Sequence, residues 1–101
     1  METNSVTNQT GILVYYDVKD MPPTKYDAVI RDLEAIHLGK FNERPYHFTG
    51  IKENGNLVVV DIFTAPEELQ KFGEKLMPIL VKNGVTPPEP MVFPLYSHVT
   101  P

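Results

Sequence analysis

Apolar residues recur along the chain in two kinds of run. Residues 12–18 (ILVYYDV), about 45–52, and Leu57–Phe63 (LVVVDIF) are short and rich in β-branched and aromatic side chains, which predicts strands. Between the first two, Tyr26, Val29, Ile30, Leu33 and Ile36 fall at helical spacing. Thr24 with Asp27 has capping-box spacing, and Gly39 is a natural stop, so the first helix is expected over about 24–38. After Leu57–Phe63, Thr64 with Glu67 has the same spacing. An apolar stripe of Leu69, Phe72, Leu76, Ile79 and Leu80 then runs to Asn83-Gly84. Pro78 lies inside this second helix and is expected to kink it. Residues 86–90 are proline-rich and extended, and 91–99 reads as a fourth strand, with Pro94 implying an edge position or a bulge.

The order β-α-β-β-α-β is the ferredoxin-like pattern, an α+β fold. Right-handed crossovers place both helices on one face of a four-stranded antiparallel sheet. Asn54-Gly55 predicts a two-residue type I′ turn between the second and third strands. That turn sets Glu53 against Asn56, His47 against Ile62 and Asp61 against Phe48. His47 and Asp61 then point to opposite faces, unless the register slips by one residue.

Two helices cover one face of such a sheet, and the other should then alternate toward polar residues. The central strands do not alternate. Leu57–Val60 are four consecutive apolar residues, and Ile12–Val14 three more before Tyr15 and Tyr16. An uncovered face of this kind exposes a contiguous apolar patch. The expectation is a second copy, sheet face to sheet face, in a closed two-fold dimer. A different partner on that face is the alternative.

At 101 residues the chain has room for one domain, over about 11–101. Residues 1–10 (METNSVTNQT) read as a disordered polar tail without the features of a signal peptide. The net charge of −4 and scattered Lys and Arg argue against nucleic acid as a partner. No apolar run reaches the length of a membrane span, and a cytoplasmic protein is the default expectation. The absence of cysteine excludes disulfides, thiolate nucleophiles and cysteine metal sites. No paired-histidine or HExxH spacing suggests a metal site, and no phosphate-binding glycine loop is present.

Within this apolar framework a few polar residues stand out. His47 lies mid-strand between Tyr46 and Phe48, and imidazole is the side chain that exchanges protons near neutral pH, so it is the candidate catalytic base. Asp61 interrupts LVVV-IF, where a carboxylate must pair, accept hydrogen bonds or reach a cavity; Arg44 is one available structural partner. Tyr15, Tyr96 and His98 complete the candidate ligand-binding set with Asp61. Tyr15 and Tyr16 face opposite ways, and Tyr96 and His98 share a face if the last strand is regular. His37 reads as a residue of the first helix's last turn, where a cation meets the helix dipole favourably.

The first strand ILVYYDV, the helix YDAVIRDLEA, the YH dipeptide, VVVDIFTAPEEL and the tail GVTPPEPMVFPLY together resemble the dimeric α+β barrel proteins, within them the antibiotic-biosynthesis-monooxygenase-like group. The likeness covers about 11–99. It implies a homodimer whose two sheets form a barrel, with ligand pockets between sheet and helices. The activities it implies are cofactor-free oxidation of quinols, small-lactone isomerisation and haem degradation. The haem-degrading branch carries a histidine on the second helix and a tryptophan in the third strand. Neither is present here, so that branch is set aside. The resemblance points to a cofactor-independent oxygenase or isomerase acting on a small aromatic or quinone-like metabolite. The alternative is a non-catalytic module that binds a small ligand or dimerises.

Overall fold

The computed structural model describes residues 11–101. The expected polar tail at 1–10 lies outside them. The elements are β1 (Ile12–Asp17), α1 (Pro23–Ala35), β2 (Tyr46–Ile51), β3 (Leu57–Phe63), α2 (Pro66–Lys82) and β4 (Met91–Pro94). They form one antiparallel sheet in the order β2-β3-β1-β4. The ferredoxin-like α+β fold expected from the pattern is the one observed.

The period-2 geometry of a strand divides the sheet's residues cleanly. Ile12, Val14, Tyr16, Val59 and Phe63 face the helices and are buried with Val29 and Leu33 of α1 and Phe72 and Leu80 of α2. The opposite face carries two cross-strand rows, Phe48–Val60–Tyr15–Met91 and Tyr46–Ile62–Leu13–Phe93.

Both helices end in the same way. In α2 the N–H of Val85 reaches the carbonyl of Leu80 and that of Gly84 reaches Val81, a Schellman closure with Gly84 at φ +74°. In α1 the equivalent bonds run from Leu38 to Leu33 and from His37 to Glu34, and the left-handed residue is His37 at φ +64°. His37 therefore lies beyond the helix rather than in its last turn. The helix stops at Ala35, short of the expected 38. The N-cap positions are Pro22 and Ala65, neither with a side-chain cap of its own, in place of the expected Thr24 and Thr64, and a proline occupies the first turn of each helix. α2 continues through the exposed Pro78 to Lys82.

The β2–β3 register corrects the expected one. The hairpin closes between Lys52 and Asn56, leaving the three-residue loop Glu53-Asn54-Gly55. Gly55 N–H donates to the Lys52 carbonyl, Asn54 Oδ1 accepts from Asn56 N–H, and Gly55 takes φ +88°. This is a turn followed by a left-handed glycine, the usual three-residue hairpin loop, in place of the two-residue form. The single extra residue brings His47 opposite Asp61 and turns both to the helix face.

The fourth strand is also shorter than expected. Pro94 pairs with Ile12 and ends β4; beyond it, among the described residues, only Leu95 N–H makes a backbone hydrogen bond to β1's edge, to the Gly11 carbonyl. The proline removes a ladder donor, so regular pairing stops there.

Candidate active site

The site begins with Asp61, the carboxylate embedded in an apolar strand. Its side chain is 2% exposed, and two basic groups meet it. His47 Nδ1 lies 2.5 Å from Oδ1, and Arg44 Nη1 lies 3.6 Å from Oδ2, an ion-pair rather than a hydrogen-bond distance. Arg44 is held on the turn that precedes β2, where its own N–H donates to the Phe41 carbonyl. Its Nη2 donates to the Gly39 carbonyl at 3.0 Å. The guanidinium lies over the rings of Phe41 and Phe72, 5.2 and 4.9 Å from their centroids, which accounts for a charged group at 4% side-chain exposure.

The hydrogen bonds fix the tautomer of His47. An ionised carboxylate only accepts, so Nδ1 carries the proton toward Asp61, and in the neutral imidazole Nε2 then keeps its lone pair. Tyr26 of α1 donates its hydroxyl to Nε2 at 2.7 Å, its ring stacked on the imidazole, and Thr49 donates to the Tyr26 oxygen at 2.9 Å. A chain thus runs from Thr49 through Tyr26 and His47 to Asp61. Its proton-accepting nitrogen belongs to an imidazole that is 24% exposed. Tyr16 borders the same space from β1. Burial pushes its phenol well above the ordinary tyrosine range, the Asp61 charge adds to this, and Arg44 opposes it.

Two spaces meet at this cluster. An inner cavity of about 50 Å³ lies between sheet and helices, lined by Leu33, Phe72 and Leu76 among apolar residues and bordered by Tyr26, Arg44, His47 and Asp61. It has room for a few waters only. An outer groove of about 500 Å³ opens along the 39–42 loop, Arg44, Pro45 and His47. Its size suits a small organic molecule. His47 and Arg44 line both.

Of the residues singled out from sequence, the fold brings His47 and Asp61 into contact. Tyr15 points away from the cluster, on the opposite sheet face, and Tyr16 takes the place beside it. Tyr96 and His98 do not share a strand face as expected. Tyr96 is 83% exposed, whereas His98 packs on the Tyr46 ring, 5.1 Å between centroids, beside a separate cleft. Tyr26, Arg44 and Thr49 join the site without having been candidates for it. Tyr26 had the phase of a core residue and Arg44 stood as a structural partner for Asp61. Among the described residues no group of three His, Asp or Glu side chains is placed to hold a metal ion, and no helix is long and apolar enough to cross a membrane.

No protein-family model matches the chain, and no curated protein does. Solved structures do. SnoaB, a cofactor-independent oxygenase from Streptomyces nogalater, superimposes with a TM-score of 0.55 at 11% identity, over 90% of this chain and 92% of that one. A dimeric ferredoxin-like protein of unknown function from Thermobifida fusca YX gives 0.58 at 15% identity, over 94% and 100%. At these identities the likeness is one of fold. By architecture, then, the chain has the ferredoxin-like βαββαβ fold that these solved structures share.

Proposed function

We propose that this protein is a proton-transfer enzyme, an isomerase or a cofactor-independent oxygenase, acting on a small aromatic or quinone-like metabolite. The observation that carries the reading is the polarity of His47: one nitrogen is committed to a buried carboxylate, and the other is joined to the Tyr26 hydroxyl, which borders the inner cavity, while the His47 side chain also lines the outer groove. A carboxylate behind an imidazole holds the tautomer and stabilises the imidazolium once a proton arrives. Tyr26 passes that proton: its oxygen takes one from a substrate O–H or activated C–H while its own moves to Nε2. The substrate is left as a phenolate or carbanion. Isomerisation returns the proton at a second carbon. In the oxygenase case dioxygen takes the carbanion's electron pair, and the returning proton completes a hydroperoxide. The fold likeness to an oxygenase supports this at the level of architecture alone.

The working unit in this reading is a homodimer closed through the outer sheet face. Phe48 and Phe93 on that face are 61% and 46% exposed, and Met91 stands beside Phe93 on β4. Such a surface resembles one half of an interface core.

The test is solvent exchange. Naphthoquinols and 1,3-diketones are incubated with the protein in D₂O and followed by proton NMR. The wild type accelerates loss of the acidic C–H signal, and His47→Ala lowers that rate on the order of 10²–10⁴-fold. Exchange no faster than buffer, or undiminished in His47→Ala, overturns the reading. The small inner cavity favours a second one, a binding module without turnover. Saturable binding of the same compounds with no exchange would select it.

A further inference from the structure

Arg44 has more binding capacity than the fold uses. A guanidinium carries five N–H donors. Here Nη1 faces Asp61 and Nη2 reaches Gly39, but Nε is buried without a hydrogen-bond partner, in a residue only 7% exposed. A buried donor on a charged group is costly to leave unpaired, and such atoms in native proteins call for an explanation.

The surroundings indicate what would pair with it. The outer groove, lined in part by Arg44 and His47, also has Lys40 along it, and no Asp or Glu among its described lining residues. A chain of net charge −4 thus presents a locally cationic groove. The rings of Phe41 and Phe72, 5.5 Å apart, lie together on one side of the guanidinium, and its Nε–H lies in the guanidinium plane, where an in-plane acceptor would meet it. Asp61 already balances the Arg44 charge, so the positive charge that remains along the groove is that of Lys40, and a single added negative charge, rather than a dianion, matches it.

We infer that the groove beside His47 binds a small planar carboxylate, whose oxygen accepts from Arg44 Nε–H while Lys40 lies along the approach. The inference rests on the reading of this cluster as the active site and adds to it a substrate class: the molecule presented to His47 carries a carboxylate. Arg44 is the residue that anchors it through Nε–H, and a neutral isostere binds more weakly because it forgoes the charge-assisted bond and leaves the Lys40 charge unmatched.

The probes are benzoate, its neutral isostere benzamide, and inorganic phosphate, added to uniformly ¹⁵N-labelled full-length protein. Saturable benzoate binding is expected at least tenfold tighter than that of benzamide or phosphate, with a progressive shift of the Arg44 Nε–Hε resonance that benzamide does not produce. Lys40→Ala weakens benzoate severalfold, and Arg44→Gln weakens it at least tenfold where circular dichroism shows it folded. If Arg44→Gln does not fold, the wild-type Nε–Hε shift decides alone. No saturable benzoate binding at millimolar concentration, tighter phosphate binding, or benzoate binding that leaves Nε–Hε unmoved overturns the inference. The two claims fail separately. An Arg44 response with exchange undiminished in His47→Ala retains the anion site and removes the base. Exchange that depends on His47 with a silent Arg44 does the reverse.

Discussion

His47 and Asp61 are direct cross-strand partners on β2 and β3, joined between Nδ1 and Oδ1 at 2.5 Å on the helix-facing side of the sheet. This contact explains the one carboxylate in LVVVDIF. Asp61 is not a tolerated defect of an apolar strand: Arg44 balances its charge and His47 supplies its hydrogen bond. The same contact gives the imidazole a defined proton side and a defined base side.

Asp61→Asn keeps the shape and removes the charge. It leaves Arg44 buried without its counter-ion, and breaking one side of a buried pair costs about 3–5 kcal/mol. Urea denaturation of the variant should show a loss of that order. Replacing both partners by apolar residues, as in Arg44→Met with Asp61→Leu, should recover much of it. An asparagine amide can also donate to Nδ1, which drives the proton to Nε2 and removes the base. Proton exchange should then fall on the order of 10²–10⁴-fold. A variant as stable and as active as the wild type would show that the pair carries neither role.

The buried phenol of Tyr16 gives the fold a dependence on alkaline pH. Burial, reinforced by the Asp61 charge, raises its folded pKa above the ordinary value of 10.0. Between the two values the unfolded chain releases this proton and the folded one retains it, so stability is complete below about pH 10 and falls as pH rises. One such group contributes a slope of up to ~1.4 kcal/mol per pH unit. Denaturant titrations of wild type and Tyr16→Phe from pH 8 to 11 should diverge above pH 10, with the phenylalanine variant losing stability less steeply. Parallel curves would mean that the phenol titrates alike in both states.

The strands were readable in the sequence because β-branched runs such as LVVV have few other uses, and the helices because their apolar residues keep one phase. The site was half readable. Asp61 and His47 each stood out as polar groups in apolar strands, yet their contact depended on one residue of loop length. Asn54-Gly55 fits either a two- or a three-residue hairpin. The choice shown by Asn54 Oδ1 on Asn56 N–H and by the Lys52–Asn56 closure leaves no mark in a single sequence. Tyr26 lies 21 positions before His47, and its spacing alone says core. Tyr96 and His98 were misplaced for a local reason, since pairing ends at Pro94 and the chain beyond it follows no strand alternation.

His37 is a site where stability can be gained. It holds the left-handed position of a Schellman closure with a side chain, where α2 uses Gly84. A non-glycine residue there carries a conformational cost of roughly 1 kcal/mol. His37→Gly should stabilise the fold by about 0.5–1 kcal/mol at pH 8, the gain reduced by the larger entropy of glycine in the unfolded chain. His37→Val should destabilise it by more than that, because a β-branched residue resists positive φ most. Thermal unfolding of the three proteins should rank them Gly, His, Val. The reverse order for Gly and His would mean that the imidazole makes a contribution larger than the backbone strain it imposes.

The outer sheet face sets the last expectation. Phe48 and Phe93 lie on its two rows, on opposite edge strands, and both are substantially exposed in a single chain. If a second copy covers this face, wild-type protein at micromolar concentration sediments with twice the single-chain mass, the usual requirement being about 800 Å² buried per partner. A charge in the middle of such an interface is desolvated without a partner. Phe48→Lys should therefore sediment at single-chain mass, and Phe93→Glu likewise. Combining the two need not restore the dimer, because the residues stand on different rows. The monomeric variants should keep the far-ultraviolet signature of the fold, since neither ring belongs to the helix-facing core. A wild type that sediments as one chain would leave the apolar face open to a different partner and remove the homodimer as the proposed working unit.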